Sequence, residues 1–159
     1  MNKKLRVYLD TSVPNFLFAD DSPEKKYITV DFFENFIKKG IYGVYISSVV
    51  IAEVDDTKNF QKRADLLEIF KRYPIEILEY NEDEEKEIQE LADYYIEQKI
   101  IPENKIADAL HIAICVIKEI DYLVSWNYKH LANVNKEHKI KLANWNFGYR
   151  SDLRIITPL

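Results

Sequence analysis

Leu5-Arg6-Val7-Tyr8-Leu9-Asp10-Thr11-Ser12 reads as a short buried strand that runs out onto a carboxylate and two hydroxyls. Its apolar residues run together more than they alternate, the habit of a strand covered on both faces in a parallel sheet. Four further stretches read the same way, near 44–47, 75–78, 122–125 and 154–156, with helical segments between them. Strands and helices in alternation predict an α/β fold. The expected form is a three-layer α/β/α sandwich around a mainly parallel sheet of about five strands, joined by right-handed crossovers. In such sheets ligands sit beyond the carboxyl ends of the strands. Asp10 ends its strand there, and Asn127 follows Tyr122-Leu123-Val124-Ser125 at the same end, whereas Asp121 belongs at the opposite one.

The helices carry their own start and stop signals. Ser22-Pro23 offers a cap followed by proline at the first helical position, and Lys38-Lys39-Gly40 closes that helix. Tyr27, Val30, Phe33, Phe36 and Ile37 are its expected buried stripe. Asn81 with Glu84 predicts a capping box, after which Ile88, Leu91, Ala92 and Tyr95 recur at helical spacing. The helix opened by Pro102 is apolar almost all round. Ile106, Leu110, Ala113 and Ile117 form one face, and Ile112, Cys115 and Val116 cover much of the rest, so it should be buried.

Two more acids stand in apolar company. Ser47-Ser48-Val49-Val50-Ile51-Ala52-Glu53-Val54 places one at the start of an apolar helix, and Ala107-Asp108-Ala109 places the other inside the most apolar one. An isolated buried charge is costly, so such acids neutralise, pair or bind a cation. If the fold gathers Asp10, Glu53 and Asp108 at one point, a divalent metal is the simplest partner. Each also has a plainer reading: Asp10 as a cap on the next helix, Glu53 turned outward, Asp108 solvated near its helix start.

A chain of 159 residues reads as one domain, 1–159, and three glycines and five prolines leave little room for linkers. No apolar run approaches the roughly 20 residues that cross a bilayer. Asp10 cuts short any signal-peptide core behind the basic start. Cys115 is the single cysteine, which excludes an intrachain disulfide and a cysteine-based zinc cluster. A cytoplasmic protein is expected. The formal net charge of −5 does not advertise a general nucleic-acid binder, although acids gathered at a metal would account for part of it. Lys62-Arg63, Lys71-Arg72 and the stretch from Lys129 to Lys141 read as solvated surface.

Taken in order and spacing, Tyr8-Leu9-Asp10-Thr11-Ser12, Ser48-Val49-Val50-Ile51-Ala52-Glu53, Ala107-Asp108-Ala109-Leu110-His111-Ile112-Ala113 and Val124-Ser125-Trp126-Asn127 resemble the PIN-domain family, typified by VapC-type toxins of toxin–antitoxin pairs. The resemblance spans essentially the whole chain. It implies a Mg2+- or Mn2+-dependent endoribonuclease whose metal is held by Asp10, Glu53 and Asp108. Asn127 stands where the family often has aspartate; it keeps an oxygen acceptor and loses the charge. It is either part of the catalytic set or a turn residue. Thr11 or Ser12 would orient a ligand or bound water, or serve as turn hydroxyls. His111 would support the site from behind or sit as a satisfied core histidine. Lys129 and His130 would meet substrate phosphate, or simply belong to a surface loop.

Trp145, Phe147 and Tyr149 read as core or oligomer contacts before they read as stacking platforms for RNA bases. The resemblance further implies an RNA substrate, a small antitoxin partner over the acid cluster and a homodimer, with no membrane. Asn127 and the acidic balance keep an alternative open, a PIN-like binding or regulatory module with weak or no catalysis. A phosphotransferase using Asp10 as nucleophile comes last, because Ser12 occupies the position where such enzymes carry a second aspartate.

Overall fold

Val7, Tyr8 and Leu9 are buried because their strand, β1 (Arg6–Leu9), lies in the middle of a parallel sheet. The structure, a computed structural model, describes residues 4–127 and 133–159. After β1 come α1 (Ser12–Asn15), a 3-10 turn at Phe16–Phe18, and α2 (Pro23–Phe32), which continues through a π turn at Phe33–Ile37. Then follow β2 (Gly43–Ile46), α3 (Ser48–Asp55), α4 (Phe60–Arg72), β3 (Ile75–Ile77) and α5 (Glu82–Glu97). A 3-10 turn at Glu103–Lys105 leads into α6 (Ile106–Ile117), and β4 (Tyr122–Val124), α7 (Val134–Phe147) and β5 (Arg154–Ile156) complete the order.

Among the described residues the five strands form one sheet in the order β3-β2-β1-β4-β5, with every pairing parallel. Val7 sits beside Val44 on one side and Tyr122 on the other. The chain therefore winds outward through β2 and β3, returns past β1, and winds the other way through β4 and β5. With crossovers of one hand, that reversal puts the helices of the two halves on opposite faces. The α/β expectation holds, and each strand lies within one or two residues of its expected place.

Burial follows position in the sheet. Val44, Ile46, Leu123 and Val124 are core, while Ile77 on edge strand β3 is half exposed. The Asn81–Glu84 capping box is present, and Ile88, Leu91, Ala92 and Tyr95 are buried behind it. Asp121 takes the backbone N–H of Arg6 at 2.8 Å, at the amino end of β1, opposite to Asp10. Gly40 leaves the π turn with φ +67°, the left-handed conformation that glycine adopts without a Cβ clash.

The stripe expected on α2 is a correction. Phe33 and Ile37 are buried, but Tyr27 is 74% exposed, and Val30 and Phe36 are also exposed. The buried line runs instead through Thr29, Phe33 and Ile37, which leaves Tyr27 and Val30 off it within the regular helix, and the five-residue turn, closed by Lys38 N–H donating to the Phe33 carbonyl, bears on Phe36 alone. Tyr27 and Phe36 instead line an open apolar groove of about 610 Å³ against Leu5, Val7 and Tyr122 of the sheet. The apolar face of α6 is a smaller correction. Ile106 at its start is exposed, and the tightly packed residues are Ala109 and the run from His111 to Val116.

Candidate metal centre

The reversal of winding between β1 and β4 opens a crevice at the carboxyl ends of those strands, the place where open α/β sheets bind ligands. A concavity of about 280 Å³ lies there, lined by Asp10, Thr11, Ser12, Asn15, Glu53, Asp108, His111 and Asn127. Three carboxylates from β1, α3 and α6 thus share one wall with the residue that follows β4. The roomier groove beside α2 is mostly apolar and carries one acid, Asp31, on its wall, so it gathers no cluster of carboxylates.

Asp10 is the fixed point. Its backbone N–H continues the β1–β4 ladder to the Val124 carbonyl, and its side chain is 3% exposed. Oδ1 accepts from the backbone N–H of Ser12 at 3.0 Å and from its hydroxyl at 2.5 Å. Ser12 Oγ in turn accepts from the Trp126 backbone N–H at 2.9 Å, so one serine ties Asp10 to the strand end of β4. Trp126 is itself anchored through indole N–H donation to Thr29 on α2. Burial pushes the Asp10 carboxyl upward, against the pull of His111 and the Ser12 and Ser125 hydroxyls.

Asp108 is the third residue of α6, half-buried, and its Oδ2 accepts from Asn127 Nδ2 at 3.1 Å. Burial raises its carboxyl too. The negative charges of Asp10 and Glu53 add to that rise, while His111 and Lys105 oppose it. Asn127 is held by its own N–H to Ser125 Oγ at 2.9 Å, a turn contact, and also reaches the acid cluster. Asn127 thus makes a turn contact and also lies against Asp108.

Glu53 corrects its expected place, since it is the sixth of the eight residues of α3 and not at the start. The true start is Ser47, whose hydroxyl accepts from Val49 N–H. From that last turn Glu53 reaches back over the site. Its Oε1 accepts from Thr11 Oγ1 and pairs with His111 Nε2, each at 2.7 Å. Burial raises the Glu53 carboxyl, but hydrogen bonding and charge from His111, with the Thr11 bond, win and hold it below its ordinary value.

Thr11 holds Glu53, and Ser12 holds Asp10. His111 is buried in the core and touches the site at once. Its Nδ1 meets the Tyr8 hydroxyl at 2.7 Å, and that hydroxyl meets Ser47 Oγ at 2.6 Å. Tyr8, Ser47 and Asn15 were missed from sequence. A tyrosine inside an apolar strand does signal a partner for its hydroxyl, but not which one. Lys129 and His130 lie outside the described residues.

Among the described residues no three His, Cys, Asp or Glu side chains close around a point that would hold an ion. The three acids share a wall without forming a cage, and each has its own hydrogen-bond partner, Asp10 the Ser12 hydroxyl. Asp108 leans to the Asn127 amide and Glu53 to Thr11 and His111. The donor set itself is all hard oxygen, with two acids driven upward by burial, and that chemistry fits a divalent cation of the magnesium type.

The family model for the PIN domain matches residues 7–137, a span that takes in Asp10, Glu53, Asp108 and Asn127. No curated protein matches the chain. Among the described residues no helix is long and apolar enough to cross a membrane.

Proposed function

This chain belongs to the PIN-domain family, and on that premise we propose that it is a metal-dependent endoribonuclease in one domain, 1–159. PIN domains are generally nucleases that act on nucleic acid with divalent metal ions. In this reading Asp10, Glu53 and Asp108 hold Mg2+ or Mn2+, and Asn127 adds an uncharged contact. One observation carries it: acids from three separate stretches line one concavity at the switch point of the sheet.

Bound there, a hard divalent cation would acidify a water and offset charge on a phosphodiester. The chain's own residues supply the rest. Ser12 and the end of β4 keep Asp10 immobile, so no reorganisation is needed there as charge builds. Thr11 and His111 aim Glu53, and Asn127 aims Asp108. Asn15 brings a neutral amide to the same wall, suited to water or phosphate oxygen. A toxin role, a small antitoxin over the cluster, a homodimer and a cytoplasmic setting belong to the same reading and are supported by the family resemblance alone.

The test is cleavage of single-stranded RNA by purified protein. Manganese or magnesium should support it, a chelator should stop it, and Asp108→Asn should lose about 10²-fold or more. Equal rates in wild type and variant would point to a contaminating nuclease and end the assignment.

The second reading, a silent binding module, is favoured by the Asn127 amide donating to Asp108 where a fourth acid would strengthen a cation site. Asn127→Asp separates the two. It should tighten manganese binding about tenfold, while metal-free stability drops by about 1 kcal/mol through a lost donor and an added like charge. Calorimetry and thermal unfolding in chelator read both effects. Unchanged affinity would show that position 127 does not face the ion.

A further inference from the structure

Tyr8, Ser47 and His111 are 0%, 0% and 1% exposed, yet they carry a hydroxyl, a hydroxyl and an imidazole into the core. Burying polar groups there costs free energy unless each is fully bonded. They are bonded to one another in a string, Ser47 Oγ to Tyr8 Oη to His111 Nδ1, and the string leaves the core through His111 Nε2 to Glu53 Oε1. A core that only needed to pack would take Phe, Ala and Leu at these positions. The string connects the N-cap of α3, the middle of β1 and the buried face of α6 to one site carboxylate.

The hydrogen count gives the string a direction. Ser47 Oγ already accepts from Val49 N–H, so its own proton is available to Tyr8 Oη. Tyr8 then gives its proton to His111 Nδ1, which must be bare, and Nε2 must carry the ring proton toward Glu53. The opposite direction would leave the Ser47 proton without an acceptor among the described residues. We propose that Tyr8 and Ser47 are positioning residues: acting through His111, they fix the Nε2–H tautomer and so hold the Glu53 carboxylate in its working orientation. The orientation of Glu53 matters only if Glu53 serves the metal-dependent reaction, so this inference rests on the function proposed above.

Two readouts test it, one of them independent of metal. In nitrogen-15 histidine spectra of the chelated protein, with the His111 signal assigned by its loss in His111→Gln, wild type should show Nε2 protonated and Nδ1 bare. Tyr8→Phe should move the ring proton toward Nδ1, and Ser47→Ala should do so partly, with Ser47→Thr restoring the wild-type pattern. By calorimetry, Tyr8→Phe should weaken manganese binding about tenfold, the size seen when a supporting partner behind a ligand is lost. In a Glu53→Gln background the same change should cost nothing further, because both act on one carboxylate.

A merely structural tyrosine would lower stability equally in both backgrounds and leave the tautomer alone. A wild-type ring protonated on Nδ1, or Tyr8 and Glu53 losses that simply add, overturns the proposal. Absence of manganese binding in wild type would sink the nuclease reading instead, and the ring signal would then decide the string by itself.

Discussion

Asp10→Asn is expected to lower metal-dependent RNA cleavage by about 10²–10³-fold, which corresponds to about 3–4 kcal/mol of transition-state stabilisation. Asparagine keeps the size of the side chain and an oxygen for the Ser12 N–H and hydroxyl, so the strand end should keep its shape. What goes is a full negative charge at the most buried of the three acids. Screening is weak at such a site, so one charge there weighs more than one at the rim. Manganese affinity should fall in parallel.

Glu53→Gln should cost less. That side chain is 38% exposed, and its lost charge is partly replaced by water. The ranking Asp10 above Glu53 therefore follows from burial. Cleavage rates at saturating metal, set beside calorimetric affinities, check it. Equal losses at the two positions would mean that burial does not order the ligands.

How much of this was legible before the structure depends on whether a feature is local. β1 could be read because a run of Val, Tyr and Leu ending on Asp10 needs no distant partner to be recognised as a covered strand. The capping box at Asn81 is local in the same way. The stripe on α2 failed because its buried line passes through Thr29, a polar residue whose hydroxyl takes the Trp126 indole N–H, and no residue in Phe33–Ile37 announces the π turn that follows. Glu53 was placed at a helix start because its apolar neighbours hide the cap at Ser47. Asp10, Glu53 and Asp108 could each be suspected, since charge in apolar company is costly wherever it sits. That His111 would bind Tyr8 on one side and Glu53 on the other could not. It requires β1, α3 and α6 to meet at one point, a property of tertiary packing with separations of 103 and 58 residues.

Without metal, the Asp10→Asn protein should be more stable than wild type at neutral pH by on the order of 1–2 kcal/mol, and the gain should fade in acid. Burial sets the sign at both acids against the pull of His111, and the charges of Asp10 and Glu53 add to it at Asp108. The Asp10 and Asp108 carboxyls are both raised from 3.8 in the folded state, so the folded protein holds their protons more tightly than the unfolded chain does. Their contribution to stability is fully present below 3.8 and is lost as pH rises through the raised values. Above that window wild type carries the full penalty of buried charge, and the variant has shed part of it. Glu53 runs the other way. Its carboxyl is lowered from 4.5, so its contribution is present above that value and disappears as pH falls through the folded one.

Denaturant unfolding in chelator across pH 4–8 should therefore show the variant's advantage growing from acid toward neutrality and then levelling. At neutral pH an advantage of 1–2 kcal/mol is about 2–8 °C in melting temperature for a chain of this size. Saturating manganese should reverse the order, because binding to the folded state stabilises whichever protein binds it more tightly. An advantage that stays constant from pH 4 to 8 would mean that the Asp10 carboxyl titrates alike in both states, and that the acids do not form a strained cluster. An advantage that manganese fails to reverse would mean that the strain is real but is not what holds the ion.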